Sequence, residues 1–245
     1  MNASIDIGNT FAKIGFFEDD ILVEVQKGLK INDLEEIVRL KNVKNLIISS
    51  VTRSFEELEE IFKGFVGNQM ILTSQTPVPI IKKYDTPETL GADRLAGAVG
   101  ANFLFPNTTC LIIDMGTALK YDFITKEKKF EGGIISLGMR IRFEALHTFT
   151  KKLPLLGAEG LPDLVGTNTK TCIQSGVING MIAEINGIIE KYYEKGVQQV
   201  ILCGGDAQFF ESQIKIPNFA PQLKFVPHLV LIGLNRILQY NVEKK

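Results

Sequence analysis

Two similar α/β halves facing each other across a cleft are the fold class predicted for this sequence, and three observations predict it. A short strand meander feeding into alternating helices and strands occurs twice along the chain. Each copy opens on an apolar strand that runs into Asp, one intervening residue and Gly, as "SIDIGNT" and "LIIDMGT". The 245 residues suit one large domain or two of about 120, and a boundary inside "FPNTT" gives halves of 1–107 and 108–245.

The first half begins with "ASIDI", alternating toward Asp6; "AKIGFF" returns after the "GNT" turn, and "ILVEV" follows the acidic turn "EDD". A helix is expected over "INDLEEIVRL" and a buried strand over "NLIISSV". Ser54 and Glu57 then form an S-x-x-E capping box, with Phe55, Leu58, Phe62 and Phe65 following at helical spacing. "MILTS" is the next strand. A helix opens near Gly91 and turns Leu95, Val99 and Phe103 toward the core. The second half repeats the plan with "TTCLIIDMG", "ALKYDFI" and "KFEGGIIS" as strands, and two helical stretches follow. The longer runs from about Thr169 to Glu194 through Ile173, Val177, Met181, Ile182, Ile185, Ile189 and Tyr193. Gly176 and Gly180 leave one strip of its backbone approachable, for close packing either within the core or against a second subunit. "QQVILCGG" and "LKFVP" read as late strands, and "HLVLIGLNRILQY" as the closing helix.

Composition excludes several classes of function. With 27 basic and 28 acidic side chains the formal charge is -1, so no nucleic-acid stripe or polybasic membrane patch is expected. The start "MNASIDIG" lacks an export-signal layout, and no apolar run approaches the roughly 20 residues that span a bilayer, which makes the cytoplasm the expected location. Cys110, Cys172 and Cys203 are isolated and read as buried reduced thiols. His147 and His228 stand far apart without metal-ligand spacing, so no structural zinc is expected.

Chemistry concentrates at the two D-x-G turns. Gly8 and Gly116 let phosphate oxygens approach backbone N–H groups, and Asn9, Thr10 and Thr117 add hydrogen-bond donors. Asp6 and Asp114, at strand ends, can hold a cation that offsets phosphate charge, while Lys13 is a mobile positive charge. A single D-x-G-N/T reads equally as a hairpin turn; two copies opening two similar halves point to a phosphate clamp. Neither a Walker A sequence nor G-x-G-x-x-G occurs, which disfavours P-loop and dinucleotide sites. "CGGD" at 203–206 suits a flat adenine or ribose on its backbone, and equally a strand-ending turn. In "GADR", Asp93 and Arg94 occupy the first turn of a helix, where the N-terminus stabilises carboxylate charge by about 0.3–1 kcal/mol. Asp93 can there accept a proton, and Arg94 can grip a carboxylate or phosphoryl group with two hydrogen bonds.

These residues resemble the type III pantothenate kinases of the sugar kinase/Hsp70/actin superfamily, over essentially the whole chain. The likeness rests on "DIGNTFAK" at 6–13, "GADR" at 91–94, "DMGTA" at 114–118, "FEGGIISLG" at 130–138, "KLP" at 152–154 and "GTNTKTCIQSG" at 166–176. "GADR" between two D-x-G turns, followed by G-G-x-I, is the specific part. The resemblance implies two ribonuclease H-like halves. It also implies ATP-dependent phosphorylation of pantothenate, the first step of coenzyme A biosynthesis, by a homodimer with shared active sites. It implies ATP contacts from Asp6, Ile7, Gly8, Asn9, Thr10, Phe11, Ala12, Lys13 and Thr117, with Mg2+ travelling on the ATP. Asp93 matches the proton acceptor, and Tyr84, Gly91, Ala92, Asp93 and Arg94 the pantothenate-binding residues. Thr169 matches a pantothenate contact supplied by the neighbouring subunit. Asp114 matches a ligand of an activating potassium or ammonium ion.

Two positions depart from the family pattern. Leu137 stands where proline is usual and alters loop stiffness. Lys120 stands where a small hydroxyl residue is usual; its charge either approaches ATP or points outward from the strand. Two rival functions remain open to the sequence: a superfamily kinase acting on a sugar or other small alcohol, and a nucleotide-binding regulator without small-molecule kinase activity.

Overall fold

The computed structural model describes residues 1–9, 11–214 and 222–243. It forms two compact units, one of Met1–Asn107, Ile124–Gly132 and His228–Lys245, the other of Thr108–Phe123 and Gly133–Pro227.

In the first unit, β1 (Asn2–Ile7), β2 (Ala12–Glu18) and β3 (Ile21–Leu29) form the expected meander. Helix α1 (Leu34–Leu40), β4 (Asn45–Ser50), α2 (Phe55–Ile61) and β5 (Asn68–Ile71) follow, and the sheet order is β3-β2-β1-β4-β5. β2 pairs antiparallel to β1, whereas β4 runs parallel to it. Strand alternation divides the two faces of β1. Ala3, Ile5 and Ile7 join Leu34 and Val38 of α1, Leu58 of α2 and Phe62 at that helix's C-cap in one apolar core. Asn2, Ser4 and Asp6 point the other way. Ser54 caps α2 with Glu57 in the reciprocal capping box read from the sequence.

The short strand β6 (Ile81–Lys82) precedes α3 (Ala92–Leu104), in which every residue from Arg94 to Ala101 is buried. This helix of Ala and Gly is a packing element rather than an amphipathic surface helix. Its partner is the last helix of the chain, Leu229–Val242. A Cβ on Gly100 would stand 2.6 Å from the Leu229 carbonyl oxygen, and one on Gly233 would overlap the carbonyl of Ala96. The two backbones therefore touch, which places the closing helix in the first unit although chain order puts it after the second. Its Asn235 extends a side-chain ladder across the sheet: Asn68 donates to Asn45, Asn45 to Asn2 and Asn2 to Asn235.

The second unit repeats the topology. β7 (Cys110–Met115), β8 (Ala118–Ile124) and β9 (Lys129–Leu137) form a meander, followed by α4 (Met139–Thr148), α5 (Thr169–Tyr193), β10 (Gln199–Cys203), α6 (Ala207–Phe210) and β11 (Gln222–Phe225); the closing helix is α7. Strand order β9-β8-β7-β10-β11 matches that of the first sheet, again with the fourth and fifth strands parallel to the first. Leu111, Ile113, Leu119 and Tyr121 pack against Phe143 of α4 and against Ile173, Val177, Met181 and Ile185 of α5. A polar network ties α5 to the meander: the Tyr121 hydroxyl donates to Glu184 at 3.1 Å, and Arg142 forms an ion pair with the same carboxylate.

The start of β9 belongs to the first unit, where Ile81 and Lys82 of β6 pair in parallel with Lys129 and Phe130. Cys110 and Cys203 are buried free thiols as expected. Cys172 is not. It is exposed, because it lies beside the loop that enters α5 rather than on that helix's core face, and its thiol points at the Gly166 carbonyl, 3.3 Å away. No helix among the described residues is long and apolar enough to cross a membrane.

Candidate functional site

β1 and β4 are parallel neighbours with Ile7 opposite Ser50, so the loops leaving their C-terminal ends lie side by side. That juxtaposition builds a concavity of 370 Å³ whose lining includes Gly8, Asn9, Phe11, Lys30, Thr52 and Arg53. The four-residue turn is closed by the Gly8 amide donating to the Phe11 carbonyl at 3.2 Å. Asn9 and Phe11 are exposed at its lip; Ile7 and Ala12 are core side chains that offer a ligand only backbone. Thr10 lies outside the described residues. Asp6 and Lys13 are directly opposite one another across the β1–β2 ladder and both half-buried. The Lys13 charge reaches the start of α7: His228 is lowered from its ordinary pKa first by burial, then by the positive charges of Lys27 and Lys13. Lys30, Thr52 and Arg53 were not singled out in the sequence. The usable signal was the parallel neighbour itself, since the loop after such a strand must flank the turn.

The "GADR" segment starts α3 with Gly91 at the N-cap position and Ala92 as the first helical residue. The Asp93 carboxylate folds back over this helix start, its Oδ1 accepting from the Arg94 amide at 2.9 Å. A Cβ on Gly91 would stand 2.7 Å from that oxygen, so a side chain there would push the carboxylate out of this position. Arg94 is 6% exposed, an inward guanidinium rather than a surface salt bridge. It lies over the rings of Tyr84 and Phe130 at 5.6 and 5.8 Å and donates to the Tyr84 hydroxyl at 3.3 Å. Gly132 lies beside the Tyr84 ring at φ +96, a backbone conformation that favours glycine. The structure thus gathers Tyr84, Gly91, Asp93 and Arg94 into one cluster of the first unit, with Phe130 as a member the sequence did not indicate.

In the second unit the same logic recurs around Asp114. β10 is parallel to β7 with Cys203 opposite Asp114, so the "GGD" loop flanks the two-residue turn at Gly116 and Thr117. Gly204 has φ +93, open to glycine, and a Cβ there would lie 2.6 Å from Asp114 Oδ1 and collide with the Met115 carbonyl. Gly138 closes onto the backbone of Gly116 and Thr117 from the other side. Lys120 turns inward from β8, and its Nζ meets Asp114 Oδ2 at 2.7 Å. Leu137 is 49% exposed and packs into no core.

The Asp206 amide donates to the Met115 carbonyl at 3.0 Å, anchoring the loop, and burial raises the pKa of its carboxyl. A raised folded-state value means a contribution to stability present below the unfolded pKa of about 4 and lost as pH rises through the folded value. Asp206→Asn is therefore expected to raise Tm at about pH 7.5 and to leave it nearly unchanged at about pH 3, as read by thermal unfolding at both values.

Thr169 is exposed in the first turn of α5 and belongs to the second unit, whereas Tyr84 and Arg94 belong to the first. The helix start is fixed by a box between Asn168 and Thr171. Beside it is a concavity of 340 Å³ whose lining includes Glu159, Pro162, Asp163, Thr167 and Thr171. The loop that forms it is pinned to α5 by Ser175 donating to the Leu164 carbonyl at 2.7 Å and Gln174 to that of Gly157 at 3.2 Å. Gly176 and Gly180 are exposed, and a Cβ on either would meet nothing within 4 Å.

Among the described residues no three His, Cys, Asp or Glu side chains cluster as a metal site. A single half-buried carboxylate beside a glycine turn, as at Asp6, nevertheless suits Mg2+, which binds through one or two carboxylates plus substrate phosphates.

The family model described as Type III pantothenate kinase matches residues 4–191. A type III pantothenate kinase of Cytophaga hutchinsonii is 43% identical over 245 residues, covering 99% of this chain and 100% of the relative. One from Phocaeicola vulgatus is 42% identical, with 98% and 99% covered. Among solved structures, a ROK hexokinase from Thermus thermophilus superposes with a TM-score of 0.57 at 13% identity, over 100% of this chain and 99% of that one. The fold is that of the sugar kinase/Hsp70/actin superfamily. With the family model matching most of the chain and full-length relatives above 40% identity, this protein belongs to the type III pantothenate kinase family.

Proposed function

We propose that this protein phosphorylates pantothenate with ATP, giving 4'-phosphopantothenate and ADP, the first step of coenzyme A biosynthesis. The observation that carries the reading is the start of α3, where a carboxylate and a buried guanidinium stand side by side. The primary hydroxyl of pantothenate attacks the γ-phosphorus, the bond to the ADP oxygen breaks, and the hydroxyl proton passes to Asp93. In a loose phosphoryl transfer that proton leaves late, so positioning and charge stabilisation carry most of the acceleration. Arg94 and Tyr84, with the backbone of Gly91 and Ala92, orient the pantothenate, the guanidinium gripping its carboxylate.

The segment from Asp6 to Lys13 takes the ATP phosphates on backbone amides and the Lys13 charge. Membership of the family supports the use of Mg2+-bound ATP and the monovalent-cation use typical of that family. Asp6 would hold the Mg2+, which neutralises developing phosphate charge when bound. An ATP-consumption assay with pantothenate, hexoses and glycerol, with products identified by mass, tests the function. Phosphopantothenate is the expected product; a hexose phosphate, or nucleotide binding without any product, would replace this reading.

The working unit in this proposal is a homodimer. Its support is the open Gly176/Gly180 strip of α5 and the exposed position of Thr169 at the same helix's start. Two inactive, folded variants, Asp93→Asn and Thr169→Arg, are expected to regain activity on subunit exchange, toward about a quarter of wild type, because one mixed site carries neither lesion. Demonstrated mixed dimers without recovery would count against sharing.

A further inference from the structure

We propose that the ammonium of Lys120 is a built-in monovalent cation at the second phosphate turn, so that this chain needs no potassium or ammonium ion from solution there. The activity part of this inference rests on the kinase reading; the binding part does not.

One oxygen of Asp114 already holds a cation, and the other is crowded by a glycine. Oδ2 holds Lys120 Nζ at 2.7 Å, with the two side chains only 14% and 18% exposed. Oδ1 faces Gly204 so closely that a Cβ there would come within 2.6 Å of it. A diffusible cation on this carboxylate would have to displace the ammonium or sit beside a like charge in a mostly buried position. The donor set therefore does not fit a free ion. It fits the lysine, which brings one positive charge and three N–H donors, the chemistry of an ammonium ion on a tether.

The placement gives that charge a use. Lys120 is on β8, the strand leaving the Gly116–Thr117 turn, and Asp114 is on β7, the strand entering it. The first unit is arranged alike: Lys13, on the strand leaving the Gly8 turn, is opposite Asp6 on the strand entering it. Residues opposite each other in an antiparallel pair project from the same face, so each phosphate turn is flanked by one acid and one lysine. A covalently held charge is present at full occupancy whatever the salt, whereas a solution ion must be bound at a cost in freedom.

The test uses the full-length protein in a buffer whose only monovalent cation is tetramethylammonium, too bulky to enter, against the same buffer with potassium, ammonium or sodium chloride at matched ionic strength. Two readouts are taken, product formation and affinity for a non-hydrolysable ATP analogue with Mg2+ by calorimetry. Wild type is expected to vary by less than about twofold in both. Lys120→Ala, and Lys120→Thr as a second variant that suits a strand, are expected to lose about tenfold or more without the small cations. Potassium or ammonium should restore most of that loss, with sodium less effective. Wild-type turnover or analogue affinity that rises about tenfold with potassium would overturn the proposal, as would folded Lys120 variants that stay indifferent to cations and fully active. If no alcohol is phosphorylated in any buffer, the kinase reading fails. The analogue affinities still decide the role of Lys120, cation-independent in wild type and cation-dependent in the variants supporting it and any other pattern overturning it.

Discussion

Asp93→Asn is expected to lower kcat by about 10²-fold or more while nucleotide affinity changes little. The substitution is nearly isosteric, and an amide oxygen can still accept the 2.9 Å hydrogen bond from the Arg94 amide, so the start of α3 should survive. What is lost is the capacity to take the hydroxyl proton. The loss should therefore fall on the chemical step, in single-turnover rate as much as in kcat, with the KM for ATP within about twofold of wild type. Near-wild-type turnover by a folded Asp93→Asn protein would remove Asp93 from the chemistry. A collapse of nucleotide affinity instead would make it a positioning residue.

Local signals in the sequence were reliable where the physics is local. The capping box at Ser54 and Glu57 depends on residues three apart, and α2 starts there. Gly91 and Thr169 each mark a helix start that α3 and α5 reproduce. The duplicated meander depends on strand alternation and tight turns, and both sheets carry it. The long-range features were not legible. Nothing near "HLVLIGLNRILQY" says that Gly233 meets Ala96, far away in the chain, so the sequence reading left α7 in the second half. Nor does the "GTALK" pattern reveal where a lysine head points. Lys120 alternates with buried Leu119 and Tyr121 and was equally compatible with an outward position.

The same distinction applies to the candidate site. Asp6, Gly8, Asp114 and Gly116 could be named because a turn declares itself over a few residues. Phe130 and Arg53 could not, and Gly204, named within "CGGD", could not be placed against Asp114, because those positions follow from which strands become parallel neighbours and where β9 is reached by β6. Arg94 lies between the two cases. Its position in the motif was evident, but its burial was not, since an Arg in the first turn of a helix is ordinarily solvated.

That burial sets the second large effect. Arg94→Lys is expected to raise the KM for pantothenate by about 10- to 10²-fold and to leave the KM for ATP within about twofold. Charge alone does not explain the present site: the guanidinium spreads over the Tyr84 and Phe130 rings, at 5.6 and 5.8 Å, while donating to the Tyr84 hydroxyl at 3.3 Å. A lysine ammonium is compact and strongly hydrated, cannot stack on two rings, and offers a carboxylate one point of contact in place of a planar fork. Packing lost around the shorter head should also lower stability, by about 1–3 kcal/mol. The two consequences are separable. Tyr84→Phe keeps the ring beneath Arg94 and removes only the acceptor hydroxyl, so it should preserve most of the stability and raise the pantothenate KM far less than Arg94→Lys. If folded Arg94→Lys shows a lower Tm but an unchanged pantothenate KM, Arg94 holds the helix start in place and does not grip the substrate. If KM rises while Tyr84→Phe stays close to wild type, the guanidinium itself is the anchor for the substrate carboxylate, and Tyr84 acts by holding it flat.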